Sequence, residues 1–233
     1  MTTLVIRHGR TPYSARYLVN GDPSAPVLLD EEGLRSTAAL RGRLAPRRFS
    51  SYASSTFPRT RQTIQLLTGS QSGHRDARLN ELDYGRFEGG PFATYARWLL
   101  ANGPWAVPPG AAESQRDGML RMLGGLRGQL HTPGPRLIVA HGLLVSLLSW
   151  HRAHAARAER IPLFLPEAPY AEPIVATDDE ITEVTKDLAR RLGAEPRCWR
   201  GPGDAAISSE DDSTVLALFG PVSVSLEENE SDA

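Results

Sequence analysis

The stretch Leu4-Val5-Ile6-Arg7-His8-Gly9 is the most informative feature of the sequence, because a similar stretch recurs near the middle of the chain as Leu137-Ile138-Val139-Ala140-His141-Gly142. In both places a short apolar run, typical of a buried strand, ends in His-Gly. Ligands of open α/β sheets bind beyond the carboxyl ends of parallel strands. Two histidines at two such ends are therefore expected to face one pocket, whereas one alone could merely satisfy a backbone group. The glycine after each is expected to let the backbone turn sharply and approach a ligand.

Apolar, β-branched runs alternate along the rest of the chain with helical stripes. Strands are predicted at residues 2–6, 52–54 and 136–140, and helices at residues 30–46, 58–69, 92–100, 113–130 and 143–156. Residues 12–30 are predicted as a loop, and residues 172–177 and 181–185 as a hairpin. This alternation predicts an α/β fold with three α/β/α layers around a central, mainly parallel sheet.

The composition bounds the class of protein. The 233 residues are 40% hydrophobic and 23% charged, which predicts a single globular domain over residues 1–233. The net charge of −1 argues against nucleic acid or an anionic membrane as a partner. The one cysteine, Cys198, excludes an intramolecular disulfide and a cysteine metal site. Without a signal peptide or an apolar run of membrane-spanning length, we expect a cytoplasmic protein.

Residues 193–233 are expected to form a C-terminal extension. Residues 201–212 have a loop-like composition, and residues 214–219 are a candidate edge strand that can pair with a partner, so a homodimer is possible. The acidic end at residues 227–233 is expected to be disordered.

Two further segments supply groups that a phosphoryl site needs. In residues 54–63, Arg59 is predicted at the start of a helix just after a strand, where its guanidinium can bind two phosphate oxygens. Arg61 nearby is as readily a solvated surface residue. In residues 79–89, glycines and aromatics surround carboxylates, so a carboxyl group there can be partly desolvated and act as a general acid. Asp83 in this stretch is read as ordinary loop acidity.

Taken together, these four segments resemble the histidine phosphatase superfamily, the phosphoglycerate-mutase-like proteins. Arg7-His8-Gly9-Arg10-Thr11 is similar to the family's Arg-His-Gly-x-Thr, which implies His8 as the nucleophile and Arg7 as a phosphate ligand. Residues 54–63 are similar to Ser-Ser-x-x-x-Arg-Ala-x-Gln-Thr, which implies Arg59 as the second phosphate arginine. The resemblance covers roughly residues 2–185, with the motifs in the expected order.

The remaining motifs complete the implied site. Residues 79–89 are similar to Leu-x-Glu-x-x-x-Gly-x-x-Glu-Gly, which implies Glu81 as the proton donor. The second His-Gly implies His141 as the last phosphate ligand. Residues 29–33 are similar to the Leu-Thr-x-x-Gly that opens the family's first helix, and Thr60 stands where alanine is usual.

Substrate selection is expected from side chains around this core. Relatives carry Glu or Gln where Arg10 stands and Asn where Ser14 stands, and an extra positive charge at Arg10 would favour a more anionic substrate. The resemblance implies a small helical cap insertion at about residues 90–125. The further candidates for substrate binding are Thr11, Arg16, Asn20, Tyr84, Trp98, Trp105 and Arg116. For the two tryptophans, packing is the simpler interpretation.

The resemblance implies a phosphatase that needs no metal or other cofactor. In that mechanism His8 forms a phosphohistidine and Glu81 serves as acid and then as base. The physiological substrate, a small phosphorylated molecule, stays open. Three alternatives remain: a phosphoglycerate-mutase-like phosphomutase, a non-hydrolytic biosynthetic enzyme on the same phosphate pocket, and a non-catalytic binding protein. The ending Phe87-Glu88-Gly89 favours the phosphatase branch over the mutase.

Overall fold

The computed structural model describes residues 1–45, 47–70, 73–157 and 159–201. Within these ranges five strands form one sheet: β1 (Thr2–Arg7), β2 (Ser51–Ser54), β3 (His74–Arg75), β4 (Arg136–Ala140) and β5 (Pro173–Thr177). The helices of the same ranges are α1 (Pro12–Ala15), α2 (Glu31–Leu44), α3 (Pro58–Thr68), α4 (Phe92–Asn102), α5 (Gln115–Gly128), α6 (Gly142–His154) and α7 (Asp178–Ala194). The predicted loop at residues 12–30 thus contains one short helix.

The sheet is mainly parallel, as predicted. Its strand order is β3-β2-β4-β1-β5, and of these neighbours only β1 and β5 run antiparallel. The two sequence echoes lie side by side, since Leu4 pairs with Leu137 and Arg7 with Ala140. The parallel register brings the two His-Gly steps to the same edge of the sheet.

Side chains of the central strands point alternately to the two faces of the sheet, and this gives the three layers. Leu4 and Ile6 point to one face of the sheet, where they pack with apolar side chains of α2 and α3. Val5 points to the other face and joins a larger core with residues of α5, α6 and α7. Successive side chains of a strand face opposite ways, so one short apolar run anchors helices on both sides. The predicted α/β/α layering is confirmed.

The predicted hairpin at residues 172–185 was wrong, because its second half is the start of α7. The hydroxyl of Thr177 accepts a hydrogen bond from the backbone N–H of Glu180, and the Glu180 carboxylate accepts one from Thr177 N in return. This capping box starts a helix. Ile181, Leu188 and Leu192 then recur at helical spacing and are buried.

The first part of the C-terminal extension packs against the body of the protein. Trp199 donates a hydrogen bond from Nε1 to the carbonyl of Leu100, at 3.0 Å, and Glu195 pairs with the buried Arg116, at 2.9 Å. The predictions for residues 214–219 and 227–233, and nearly all of that for 201–212, lie outside the described residues. No helix in the described part of the chain is long and apolar enough to cross a membrane.

Candidate active site

The ends of β1 and β4 and the start of α3 bring four predicted residues together. His8 and His141 lie with their ring centroids 5.3 Å apart and their planes nearly perpendicular. The guanidinium of Arg59 reaches both rings, and Arg7 precedes His8 at the end of β1. All four side chains are buried. The sheet register therefore assembles the cluster that the motifs predicted.

The hydrogen bonds of His8 fix its tautomer. Nδ1 donates to the carbonyl of Gly9, at 2.7 Å, and Nε2 accepts from Nε of Arg59, at 3.0 Å. Burial, followed by the positive charges of Arg59 and Arg7, holds the pKa of His8 well below its usual range. The ring is therefore neutral near pH 7, and its Nε2 lone pair is directed at the guanidinium of Arg59. This is the protonation state that an imidazole nucleophile requires.

Arg59 is held by the loop that follows α1. Nη1 donates to Oδ1 of Asn20, at 2.5 Å, and Nη2 donates to the Asn20 carbonyl, at 3.0 Å. The Asn20 amide is itself anchored, since Nδ2 donates to Glu88, at 3.0 Å. Burial lowers the pKa of Arg59 to about 10, so it stays cationic at neutral pH. Asn20, a predicted substrate ligand, thus positions Arg59, and Glu88 of the acid motif positions Asn20.

A chain of hydroxyl groups orients His141. Its Nδ1 accepts from Arg59, at 3.2 Å, so Nε2 carries the proton and donates to Oγ of Ser55, at 2.8 Å. Ser55 Oγ lies 2.9 Å from the hydroxyl of Thr60, which donates to the carbonyl of Phe57, at 2.9 Å. Burial, and then the charge of Arg59, holds the pKa of His141 well below its usual range. Thr60, the departure from the family's alanine, therefore belongs to the support of His141.

Arg7 is bound by a loop that the sequence motifs did not include. Nη1 donates to the carboxylate of Glu167, at 2.8 Å, and to the carbonyl of Ala168, at 2.5 Å, while Nη2 donates to the Tyr170 hydroxyl, at 2.7 Å. The guanidinium also lies over the Tyr170 ring, 3.7 Å from its centroid. Nε of Arg7 is buried and finds no acceptor among the described residues. Buried polar groups are rarely left without a partner, so this N–H is a donor that a bound acceptor could satisfy.

The two glycines allow close packing. Neither has a positive φ angle. A Cβ on Gly142 would lie 3.2 Å from Cζ of Arg7, and one on Gly9 would lie 2.6 Å from the hydroxyl of Thr37. Gly142 therefore leaves room for the guanidinium at the point where β4 gives way to α6, and Gly9 lets the loop after His8 approach α2.

Glu81 lies half-buried in the wall of a cavity that His8, Arg7 and Arg59 also line. Arg121 of α5 fixes its loop by donating to the Glu81 carbonyl, at 3.2 Å, and to a carboxylate oxygen of Glu113. Burial raises the pKa of Glu81, although nearby guanidinium groups act in the opposite sense. A raised pKa favours the protonated carboxyl, the form that a general acid needs.

The cavity has a volume of about 210 Å³, and four of the candidates for substrate binding line it: Thr11, Ser14, Asn20 and Tyr84. Thr11 and Ser14 cap α1 reciprocally, so their hydroxyl groups are already hydrogen-bonded. Tyr84 is buried with its ring edge-to-face on Tyr95, at 4.9 Å. These residues shape the wall, and all four make contacts within the protein.

Five other candidates do not line the cavity, so their predicted role in substrate binding is corrected. Arg10 turns away, because its Nε donates to Asp30, the N-cap of α2, at 2.8 Å. Arg116 is buried against Glu195. Arg16 is exposed, Trp98 packs among core aromatics, and the Trp105 ring lies against Arg197. Each of the three arginines among these candidates is hydrogen-bonded away from the cavity.

Sequence reasoning missed the loop between α6 and β5. Its residues Leu163, Phe164, Leu165, Glu167 and Tyr170 line the cavity opposite the first loop of the chain. The cap insertion expected at about residues 90–125 contributes Phe92, Tyr95 and Gln115. The missed segment has no period and no recognised motif. Its only signal is an unusual run of apolar residues and prolines where a surface loop would be polar.

Comparison with known proteins agrees with this geometry. The chain matches the histidine phosphatase superfamily (branch 1) over residues 3–168. Its fold is similar to the alpha-ribazole phosphatase of Shigella flexneri, with a TM-score of 0.58 and 22% identity over 75% of this chain and 89% of that one. It is also similar to a mycobacterial glucosyl-3-phosphoglycerate phosphatase, with a TM-score of 0.52 and 23% identity over 64% and 82% of the chains. A search of curated proteins gives no match.

Proposed function

Because the chain belongs to the histidine phosphatase superfamily, we propose that it hydrolyses a small phosphomonoester, without a metal, through a phosphohistidine at His8. The observation that carries the proposal is the state of His8. It is neutral and buried, its Nδ1 proton is held by the Gly9 carbonyl, and its Nε2 lone pair faces Arg59, with the charge of Arg7 nearby. Such a group can attack phosphorus in line without first losing a proton.

Binding of the phosphate requires an exchange of hydrogen bonds. Nε of Arg59 now donates to His8 Nε2, the atom that must attack. A phosphate oxygen would replace His8 as the acceptor for Arg59, and another would accept from the unpaired Nε of Arg7. His141, beneath Arg59, adds a third group that a phosphate dianion would favour in its protonated form. Three cationic partners can neutralise the equatorial oxygens, which is the main task in phosphoryl transfer.

Glu81 would then complete two proton transfers. In the first step the bond from phosphorus to the ester oxygen breaks, a bond to His8 Nε2 forms, and Glu81 gives its proton to the leaving alkoxide. In the second step the Glu81 carboxylate takes a proton from water, whose oxygen displaces His8 and releases phosphate. The raised pKa of Glu81 supports the first transfer, and the same group serves as base in the second.

The test of this function is release of phosphate from a panel of phosphomonoesters in the presence of a chelator. The phosphatase is expected to release phosphate from several of them. Isomerisation of 3-phosphoglycerate without net phosphate release would instead establish the phosphomutase. The non-hydrolytic alternative drew on the unusual Arg10 and on the C-terminal extension. Arg10 is paired with Asp30 outside the cavity, and most of the extension lies outside the described residues.

The Glu167→Gln variant is expected to bind phosphate more tightly. The Glu167 carboxylate occupies Nη1 of Arg7, so an incoming anion must compete with it. A neutral amide would compete less, and the inhibition constant of inorganic phosphate should fall by about twofold to fivefold, since surface-exposed ion pairs are worth up to about 1 kcal/mol. Glu172→Gln, an exposed residue of the same loop, is the matched control. An unchanged or weaker inhibition in Glu167→Gln would contradict this competition.

The pH dependence of kcat/KM for an alkyl ester follows from the lowered pKa of His8 and the raised pKa of Glu81. His8 must be neutral, and because its pKa is lowered, the loss of activity on the acid side should lie well below pH 6.5. Glu81 must be protonated, so activity should fall as the pH rises through its raised pKa, above 4.5. The Glu81→Gln variant should lose this alkaline decline and keep the substrate's own ionisation. An identical alkaline decline in that variant would exclude Glu81 as its source.

A further inference from the structure

The wall of the cavity carries information about the leaving group of the substrate. Resting on the proposed phosphatase function, we infer that the substrate is the phosphate ester of an uncharged alcohol that carries an aromatic or similarly planar apolar group. The phosphate is its only anionic group. Phe164 is the principal specificity-determining residue in this assignment, and it contacts the leaving group instead of the phosphate.

Aromatic side chains make up much of the lining of the cavity. They come from three separate segments: Tyr13 and Tyr17 from α1 and the residues after it, Phe92 and Tyr95 from α4, and Phe164 from the loop before β5. Phe92 and Phe164 meet edge-to-face with centroids 6.5 Å apart. Leu143 and Leu165 extend the same surface. Rings arranged in this way offer faces and edges to a planar apolar group.

The charges of the cavity argue against a second anionic group. Among the described residues that line it, the cations are Arg7 and Arg59, and both belong to the phosphate site. The remaining acidic side chains of the wall are Glu81 and Glu167. The Glu167 carboxylate would repel a carboxylate or a second phosphate, and Glu81, protonated as the general acid, offers neither of them a positive charge. An anion buried without a partner costs several kcal/mol, so bisphosphates and phosphorylated acids are disfavoured.

Two polar side chains of the wall, Gln115 and Ser146, are already used within the protein. Gln115 donates from Nε2 to the Leu163 carbonyl, at 3.0 Å, and its Oε1 accepts from Arg116. Ser146 accepts from the backbone N–H of Ala168, at 3.0 Å. A hydroxyl group of the substrate that met these two side chains would lose its water and find their hydrogen bonds already made. An apolar leaving group avoids that loss.

The volume of the cavity limits the size of the leaving group. A volume of about 210 Å³ lies below the range of about 300–1,000 Å³ that is usual for sites of drug-sized ligands. Such a cavity suits one ring system attached to a phosphate, and it is too small to enclose an oligosaccharide or a dinucleotide.

Three esters of primary propyl alcohols test this assignment: propyl phosphate, 3-phenylpropyl phosphate and 3-(4-carboxyphenyl)propyl phosphate. We expect the phenyl group to raise kcat/KM by about tenfold or more, because an added apolar group in a fitting pocket contributes this much discrimination. The carboxylate should remove that gain. The substituents lie three carbons from the ester oxygen, so the three leaving alkoxides are similar in basicity and the comparison reports binding of the substituent.

Variants of Phe164 and Leu165 test which side chains cause the preference for the phenyl ester. Phe164→Ala should reduce the preference for 3-phenylpropyl over propyl phosphate, while Phe49→Ala, the same change at a partly buried ring outside the cavity, should keep it. Leu165→Arg should raise the rate with the carboxylated ester relative to the phenyl ester. A folded Phe164→Ala variant with the wild-type preference would overturn the role of Phe164.

The outcomes separate this inference from the function on which it rests. If the wild-type protein hydrolyses all three esters equally, or prefers the carboxylated one, the substrate class is wrong and the phosphatase stands. If it hydrolyses none of these esters and no other phosphomonoester, the proposed function itself fails.

Discussion

Replacing His8 by alanine is expected to lower kcat by about 10³-fold or more, because the covalent route through a phosphohistidine is lost. What remains, the guanidinium groups of Arg7 and Arg59, can bind phosphate but offers no nucleophile. KM should change far less than kcat, since His8 acts on phosphorus and not on the leaving group. The measurement is steady-state phosphate release from phenyl phosphate.

A matched control separates this loss from a general effect of mutation. His74→Ala makes the same change at an exposed position on β3 and should retain activity. Far-UV circular dichroism and the melting temperature establish that the His8 variant is folded. Turnover like that of the wild type in folded His8→Ala would exclude a histidine nucleophile at this position.

The Glu81→Gln variant should lose about 10²- to 10⁴-fold in kcat with propyl phosphate, which is the usual contribution of a general acid. An alkoxide leaves with difficulty unless it is protonated, and a glutamine cannot supply the proton. With 4-nitrophenyl phosphate the leaving group needs no proton, so the first step should be almost unaffected. Any loss that remains with this ester reports the second step, in which Glu81 activates water.

The ratio between the two esters is therefore the informative quantity. Glu183→Gln, on the exposed face of α7, is the control for a charge change of the same kind. Equal losses on propyl and 4-nitrophenyl phosphate in Glu81→Gln would argue against a proton donor. They would leave Glu81 with a role in positioning or in the second step alone.

Much of the sheet and of the phosphate cluster could be predicted from the sequence, because local signals and tertiary structure agree there. The apolar runs at residues 4–6 and 137–139 are short, β-branched and bounded, and a parallel pair must bring their carboxyl ends to one edge. His8 and His141 follow those ends directly. Arg59 likewise follows a strand and opens a helix, so its position was fixed by its neighbours in the sequence.

The wall of the cavity could not be predicted, because it depends on packing between distant segments. Glu167 and Tyr170 reach Arg7 from a loop with no periodic pattern. Arg10 was expected in the pocket because it lies within the motif, but a carboxylate at the start of α2 competes for it. Nothing in the sequence ranks Asp30 above a substrate as its partner.

The start of α7 was misread for a local reason. The acidic run at residues 178–180 resembles a turn between two strands, whereas acidic side chains are equally typical of the first turn of a helix. Leu188 and Leu192, further along the chain, continue the apolar pattern at helical spacing, and both are buried. A window that ended at residue 185 was too short to distinguish the two patterns.

The most direct test of the account is to trap the phosphohistidine. The protein is mixed with 4-nitrophenyl phosphate, whose good leaving group makes formation of the intermediate fast, and the reaction is quenched in alkali, where phosphohistidine survives. Mass spectrometry of the peptides should then find a phosphoryl group on His8 and none in the His8→Ala variant. Phosphate release with an unmodified His8 at every time of quenching, or a phosphoryl group on a different side chain, would contradict the proposed mechanism.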